Sequence, residues 1–529
     1  MRMKKLVTKM KSSFKQKTEV KSLEDNLWET AEQLRGSVEA SEYKHISLGL
    51  MFLKFISDSF EEIRKEIKKS YKSDKKREYF LEDKDEYHKR GGFYITKGSR
   101  WPDLMKATNE KNLGSKIDKM LVDVEQNNET LSGVLPRVYG TSTIAHENLA
   151  ELINLFNDME LGTTDFIHRD TFGRAYEFFI KKFAMEEGRR GGEFYTPKSV
   201  VQLLVEILEP YNGYVYDPTC GSGGMFVQSL KFIKANQGSQ ENISIYGQES
   251  KDGIWRICKM NLALRRIDTS NIFLGDSLKN DKFPENKKAN RILANPPFNL
   301  KEWGYQQLKD DKRWKYGIPS KNNANFAFMQ HMLYHLDDKD GRMGLVLANG
   351  SMSVGGVEGE IRKKIIENDL IDCMIALPSN LFFTTTIPAC LWFFTKNKKN
   401  GKTRRRLGKI LFIDARNIFT PISRAQNELS NEQIEKISST YRSYIGEKGY
   451  PKYKNISGYC RVVIKDEIAK NNYVLTPGRY IGTEEVKEDV EPFEEKMKRF
   501  TKEYTELTEK SKTLDKKIQQ NLKDLGFEI

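Results

Sequence analysis

Between residues 214 and 413 the chain alternates short apolar runs with stretches of helical periodicity, and this alternation constrains the fold more tightly than any other feature. A strand covered on both faces reads as an unbroken apolar run, and strand–helix–strand repeats build a parallel sheet between two layers of helices. Eight runs fit such strands: 214–216, 243–246, 272–274, 291–294, 345–348, 374–377, 391–394 and 410–413. The last two flank the basic stretch 396–406, which predicts a hairpin and hence an antiparallel edge. The expected core is α/β, a doubly wound and mostly parallel sheet.

Such sheets bind ligands beyond the carboxyl ends of their strands. Directly after the first run stand Asp217-Pro218-Thr219-Cys220-Gly221-Ser222-Gly223-Gly224, leading into a helical stretch. Glycine lets the backbone approach a ligand closely, and the loop lacks the Lys-Ser/Thr ending of a phosphate-gripping loop. Glu249 stands just after the second run, at the end of the strand it predicts, where a carboxylate can accept both hydroxyls of a ribose. Asp276, in Gly275-Asp276-Ser277 after the third run, is positioned to accept the exocyclic amine of a cofactor's adenine.

The fourth run ends in Asn295-Pro296-Pro297-Phe298. An aromatic amine such as adenine N6 is a poor nucleophile because its lone pair is delocalised into the ring. Acceptors for its two hydrogens make the nitrogen more tetrahedral, and the Asn295 side-chain oxygen with the Pro296 carbonyl can serve as it attacks an electrophilic methyl group. The prolines restrict the backbone, and Phe298 offers a face to an extruded base. No catalytic histidine is needed.

The flanks differ from this core. Leu23, Leu27, Ala31 and Leu34 share a helical face, and a second helix runs through Ile46, Leu50, Leu53, Ile56, Phe60, Ile63 and Ile67. The lysine-rich stretch 68–90 reads as a loop or extended surface segment. Beyond Pro492, the residues Phe493, Met497, Phe500, Tyr504, Leu507, Leu514 and Ile518 follow a coiled-coil-like heptad seam interrupted by Ser511 and Asn521. That pattern suits a partner-seeking helix, or a terminal helix packed on its own domain. The expected division is a basic flexible arm over 1–21, a helical domain over 22–165, a catalytic domain over 166–475 and a terminal segment with its partner-binding helix over 476–529.

A formal charge of +14 favours a polyanionic partner. No apolar run approaches the roughly 20 residues that span a bilayer, so no membrane partner is expected. The basic arm lacks the apolar stretch of a signal segment. Five dispersed cysteines show neither zinc-site nor disulfide spacing, which points to a reducing cytoplasm. His331 and His335 stand at helical spacing without the acidic partner of a zinc-protease motif, and predict two helix-surface histidines and no metal.

The ordered set resembles the gamma arrangement of amino-methylating DNA methyltransferases, and more closely the modification subunit of type I restriction-modification systems. Upstream, Glu193-Phe194-Tyr195-Thr196-Pro197-Lys198 is similar to that family's first cofactor-binding motif, and Gly173-Arg174-Ala175-Tyr176-Glu177 to a sequence in its preceding helix. The segment from Leu23, with Trp28 and Leu34, resembles the family's N-terminal domain, and Leu475-Thr476-Pro477-Gly478-Arg479-Tyr480 its C-terminal segment. Members often carry alanines where Cys220 and Ser222 stand here, but small residues preserve the space.

The resemblance implies a class I S-adenosylmethionine-dependent fold that methylates adenine N6 in double-stranded DNA. By resemblance, Glu193, Phe194, Tyr195, Thr196, Pro197, Lys198, Ser222, Gly223, Gly224 and Glu249 contact S-adenosylmethionine, Asp217 and Gly221 shape the loop, and Asp276 joins them. Asn295, Pro296, Pro297 and Phe298 are the implied catalytic set. A separate specificity subunit reads the DNA sequence, a restriction subunit belongs to the same system, and two modification subunits serve each specificity subunit.

Two other readings stay open on sequence alone. A stand-alone methyltransferase acting on RNA or on a protein glutamine would share the Asn-Pro-Pro-aromatic motif, and methyl transfer to DNA, RNA and protein would separate them. A non-catalytic DNA-binding scaffold could keep the same fold, and calorimetry with S-adenosylmethionine would expose it.

Overall fold

The computed structural model describes residues 23–71, 74–158, 165–188, 195–382, 388–399, 401–423, 426–482 and 493–524. The basic arm 1–21, Glu193, Phe194 and Pro492 lie outside the described residues.

The N-terminal region is helical. Helix Leu23–Leu34 buries Leu27, Trp28 and Ala31, and helix Ala40–Ser70 is the long central element of the region. Its apolar positions Ile46, Leu50, Leu53, Ile56, Phe60 and Ile67 are fully enclosed, as their spacing requires. The stretch 68–90 differs from expectation. It holds helices Asp74–Leu81 and Lys84–Lys89, and Tyr87 stacks on Phe60 at 4.5 Å. A few apolar residues among many lysines are enough to anchor one face of a short helix, and Asp83 caps the second helix by accepting from Asp85 N at 3.0 Å. The core of this region also takes in Phe172, Tyr176, Phe179 and Phe183 of helix Asp165–Gly188.

All eight expected runs are strands: β1 (Gly213–Asp217), β2 (Ile243–Glu249), β3 (Ile272–Leu274), β4 (Arg291–Ala294), β5 (Arg342–Ala348), β6 (Ile371–Ala376), β7 (Ala389–Thr395) and β8 (Lys409–Asp414). A small hairpin, β9 (Thr420–Ser423) with β10 (Gln426–Glu428), and a further strand, β11 (Cys460–Ile464), complete the set among the described residues. The large sheet has the order β11-β8-β6-β7-β5-β4-β1-β2-β3. Pairing is parallel from β3 to β5 and between β6 and β8, while β7 runs antiparallel to both its neighbours and β11 runs antiparallel to β8. Every residue of β5, β6 and β7 is buried, so these strands form the sheet's interior with both faces covered.

β7 and β8 are therefore not a hairpin, because β6 lies between them. The basic connection crosses over β6, and two of its cations are buried partners of that strand's start. Arg406 grips Asp372 with bonds of 2.8 and 2.9 Å, and Lys398 donates to Asp369 at 2.7 Å. Burial would raise the Asp372 carboxyl, but the guanidinium holds it below its ordinary range. The antiparallel edge is made instead by β11, whose short mixed run carries no clear signal of burial in the sequence. Leu475, Tyr480 and Ile481 pack into the sheet domain's core, with Tyr480 lying 4.6 Å from the Phe412 ring.

The order of the strands creates the site. From β1 the chain builds β2 and β3 on one side, then returns to place β4 on the other. β1 and β4 thus flank a topological switch point, the place where a doubly wound sheet opens a crevice at its carboxyl edge. No helix among the described residues is long and apolar enough to cross a membrane.

Candidate active site

The turn after β1 is held by backbone and carboxylate together. Asp217 Oδ1 accepts from Thr219 N at 3.0 Å, Cys220 N donates to Gln248 O at 3.0 Å, and Gly221 N donates to Glu249 Oε2 at 3.1 Å. Gly221 and Gly223 take φ values of +53° and +80°, which side chains disfavour. Gly223 then leads into helix Gly224–Ala235. A Cβ on Gly221 or Gly224 would meet nothing within 4 Å, so the space beside the loop belongs to a cavity rather than to packing.

That cavity is lined by the loop, by Tyr195, Thr196 and Lys198, by Glu177 and Asn261, and by Asn295. Pro197 caps helix Lys198–Leu208, which sets the three residues of the upstream motif at its mouth. Asp217 is 1% exposed, and burial, eased by the Thr219 backbone and increased by Glu249, lifts its carboxyl to about 8. Burial and then Glu177 push the Tyr195 phenol up.

At the end of β4, Asn295 donates Nδ2 to Thr196 Oγ1 at 2.8 Å. Its Oδ1 is buried with no hydrogen-bond partner among the described residues. Pro296 is buried and Pro297 exposed, while the half-buried Phe298 ring meets Phe382 edge-on at 6.2 Å.

The expected residues do not all line the cavity. Glu249 acts first as the anchor of the glycine loop, accepting also from Lys251 N at 3.0 Å. Asp276 caps its own turn: Oδ1 accepts from Leu278 N at 2.9 Å, and Oδ2 faces Lys279 Nζ at 3.3 Å. Lys44, of helix Ala40–Ser70, was not expected at the site, yet it is 7% exposed and lines the cavity. Its signal was a lysine just ahead of the longest apolar helical face in the chain.

His331 and His335 are buried, not helix-surface residues. His331 Nε2 lies 2.9 Å from the Tyr216 hydroxyl and Nδ1 lies 2.9 Å from Arg313 Nη1, while His335 Nε2 meets Asp281 Oδ2 at 2.7 Å. Their helix, Asn325–His335, sits between the sheet and the 277–316 segment, so both faces are covered. Arg313 thus sets a guanidinium beside the cluster of Asp281, His331 and His335, which is joined by hydrogen bonds with both imidazoles buried and Asp281 half-buried. All five cysteines are free and buried.

Comparison with known proteins agrees with this geometry. Residues 167–489 match the N-6 DNA Methylase family, and residues 23–156 match the HsdM N-terminal domain. The chain is 39% identical over 521 residues to the type I restriction enzyme MjaIX methylase subunit of Methanocaldococcus jannaschii, covering 95% of this chain and 91% of the relative. It is 45% identical over 421 residues to the HindI methylase subunit of Haemophilus influenzae, covering 78% and 92%. The crystal structure of a type I restriction-modification methyltransferase subunit from Streptococcus thermophilus superposes with a TM-score of 0.73 at 26% identity, over 87% of this chain and 99% of that one. With its switch-point cavity, its Asn-Pro-Pro-Phe strand end and this coverage, the chain belongs to the N-6 DNA methylases, among the methylase subunits of type I restriction enzymes.

Proposed function

We propose that the cavity beside the glycine loop holds S-adenosylmethionine and that Asn295 presents the target adenine N6 to its methyl group, with the chain acting as the DNA-modification subunit of a type I system. The observation that carries this reading is the buried, unpartnered Oδ1 of Asn295 at the cavity wall. A buried acceptor without a donor is costly, and a donor supplied by substrate removes that cost.

The residues present fit the cofactor. Open space beside Gly221 and Gly224 accommodates it, and Glu249 keeps lone pairs for ribose hydroxyls after binding Gly221 N. Asp217 suits the amino group of the methionine end, Lys44 and Lys198 offer charge to its carboxylate, and Tyr195 and Thr196 close the mouth. Glu193 and Phe194 join the motif, and we assign Asp276 to shaping its turn. When bound, the cofactor supplies an electrophilic methyl group on a sulfonium.

Asn295 Oδ1 and the Pro296 carbonyl then accept the two hydrogens of N6, which localises the nitrogen lone pair toward the methyl carbon. The methyl group supplied by the cofactor would bond to N6 as it leaves sulfur, and N6, held by Asn295 Oδ1 and the Pro296 carbonyl, would then release a proton. Phe298 and the two prolines hold the extruded base. Sequence choice is assigned to a separate specificity subunit, with two modification subunits in each complex, a restriction subunit as further partner and the cytoplasm as the site of action. Tritium transfer from labelled cofactor to DNA, RNA and protein tests this: label in DNA adenine is expected, and label only in RNA or protein contradicts it.

A further inference from the structure

One carbonyl of the glycine loop is held from outside the loop. Asn261, on helix Asp252–Ala263, donates Nδ2 to Ser222 O at 2.7 Å. Its amide is in turn oriented by Arg265, whose Nη1 donates to Asn261 Oδ1 at 2.6 Å and to Asn261 O at 2.7 Å. With a guanidinium at its oxygen, the amide can present only its NH2 group to Ser222.

The other end of the same guanidinium reaches a different element. Arg265 Nη2 donates to Gly173 O at 2.9 Å and to Glu177 Oε1 at 2.8 Å, both on helix Asp165–Gly188. Glu177 also faces Lys231 Nζ at 3.6 Å, on the helix that follows the loop. The Arg265 side chain is 15% exposed, and a Cβ on Gly173 would fall 2.9 Å from its Nη2. Only glycine at 173 leaves the fork where it stands. Helix Asp165–Gly188 itself packs into the N-terminal helical core through Phe172, Tyr176, Phe179 and Phe183. An unbroken chain of contacts thus runs from that core through Arg265 and Asn261 to the loop backbone at the cavity.

We propose that Arg265 is a positioning residue for the cofactor loop, coupling the packing of the N-terminal helical region to cofactor affinity through Asn261 and Ser222. Arginine suits the position because the two amino groups of one planar fork reach the two helices in fixed geometry, whereas a lysine offers a single ammonium point. The proposal rests on the reading that the cavity holds S-adenosylmethionine.

The test is calorimetry of the full-length chain with S-adenosylmethionine, together with single-turnover methylation at saturating cofactor in the assembled complex. Arg265→Lys is expected to weaken cofactor binding on the order of 10-fold, the loss of one charge-assisted hydrogen bond. At saturating cofactor its single-turnover rate should stay within about twofold of the unmodified chain, since Arg265 touches no reacting group. Gly173→Ala, which keeps Arg265 but displaces its fork, should lower affinity in the same way. Asn261→Asp should do so too, because it keeps the Arg265 contact while turning an oxygen toward the Ser222 carbonyl. Unchanged affinity in Arg265→Lys and Gly173→Ala, with binding intact in the parent, overturns the proposal alone. A fall in rate equal to the fall in affinity would show a general structural role and overturn it as well. If the parent chain binds no cofactor, the reading of the cavity falls and the proposal falls with it.

Discussion

The Asn295 amide is fixed by Thr196: Nδ2 donates to Thr196 Oγ1 at 2.8 Å, and this turns Oδ1 to the opposite side as the free acceptor. A residue of the upstream motif, 99 positions earlier in the chain, therefore sets the orientation of the strand-end amide. Thr196→Val removes the acceptor at nearly constant volume. Single-turnover methyl transfer should fall by about 10-fold, the upper range for one neutral hydrogen bond, and Thr196→Ser should restore it to within about twofold. A valine variant at the parental rate would mean that the amide needs no such fixing.

Glu249 has two expected duties, to hold Gly221 N and to accept from the cofactor's ribose. Glu249→Ala should weaken S-adenosylmethionine binding on the order of 10-fold or more without DNA present, since bonds to a charged acceptor are worth about 1.5 to 3 kcal/mol. Calorimetry reads it directly. An unchanged dissociation constant would move the cofactor away from the end of β2.

Asp217 makes a prediction in pH. Its carboxyl is raised from 3.8 to about 8 in the folded chain, so its contribution to stability is full below the unfolded value and is lost as pH rises through about 8. Asp217→Asn keeps an acceptor for Thr219 N and removes the titration. In the cofactor-free protein, the melting temperature of the variant minus that of the parent should grow from about pH 4 to about pH 8 and then level off. Groups common to both proteins cancel in that difference, and a flat difference would show that Asp217 ionises at its ordinary value.

The sheet was legible because every one of its first eight strands is a compact apolar run, and runs such as 391–394 are buried on both faces. Its connectivity was less so. Residues 396–406 look like the tip of a basic hairpin, and only the partners Asp369 and Asp372, about 30 residues earlier, show that Lys398 and Arg406 are core cations. His331 and His335 share one helical face, but periodicity cannot say that a loop covers it. Asn295 and Asp217 stand at strand ends where the sequence places them and line the cavity, while Glu249, at the end of β2, holds the glycine loop. Lys44 and Asn261 were not readable, because helices from other parts of the chain bring them to the cavity.

On helix Phe493–Asp524 the seam residues Met497, Tyr504 and Ile518 stand in solvent, 46%, 71% and 53% exposed. Helices with such a seam associate with a second helix. Removing residues 492–529 should leave cofactor affinity within about twofold, because the cavity is lined by residues between Lys44 and Asn295, and should impair assembly with the specificity subunit. Co-purification of the truncated chain in normal yield with that subunit would remove the helix from the docking role.

The central claim is that the Asn295 oxygen activates adenine N6. Its most direct test is single-turnover transfer from labelled S-adenosylmethionine to cognate DNA by the complex carrying Asn295→Ala, with N6-methyladenine quantified in the digested DNA and cofactor affinity measured alongside. A fall of roughly 10²-fold or more in N6-methyladenine formation, with cofactor affinity within a few-fold of the parent, is the predicted result, by analogy with loss of an oxyanion-hole donor. Near-parental formation of N6-methyladenine by the variant would contradict it.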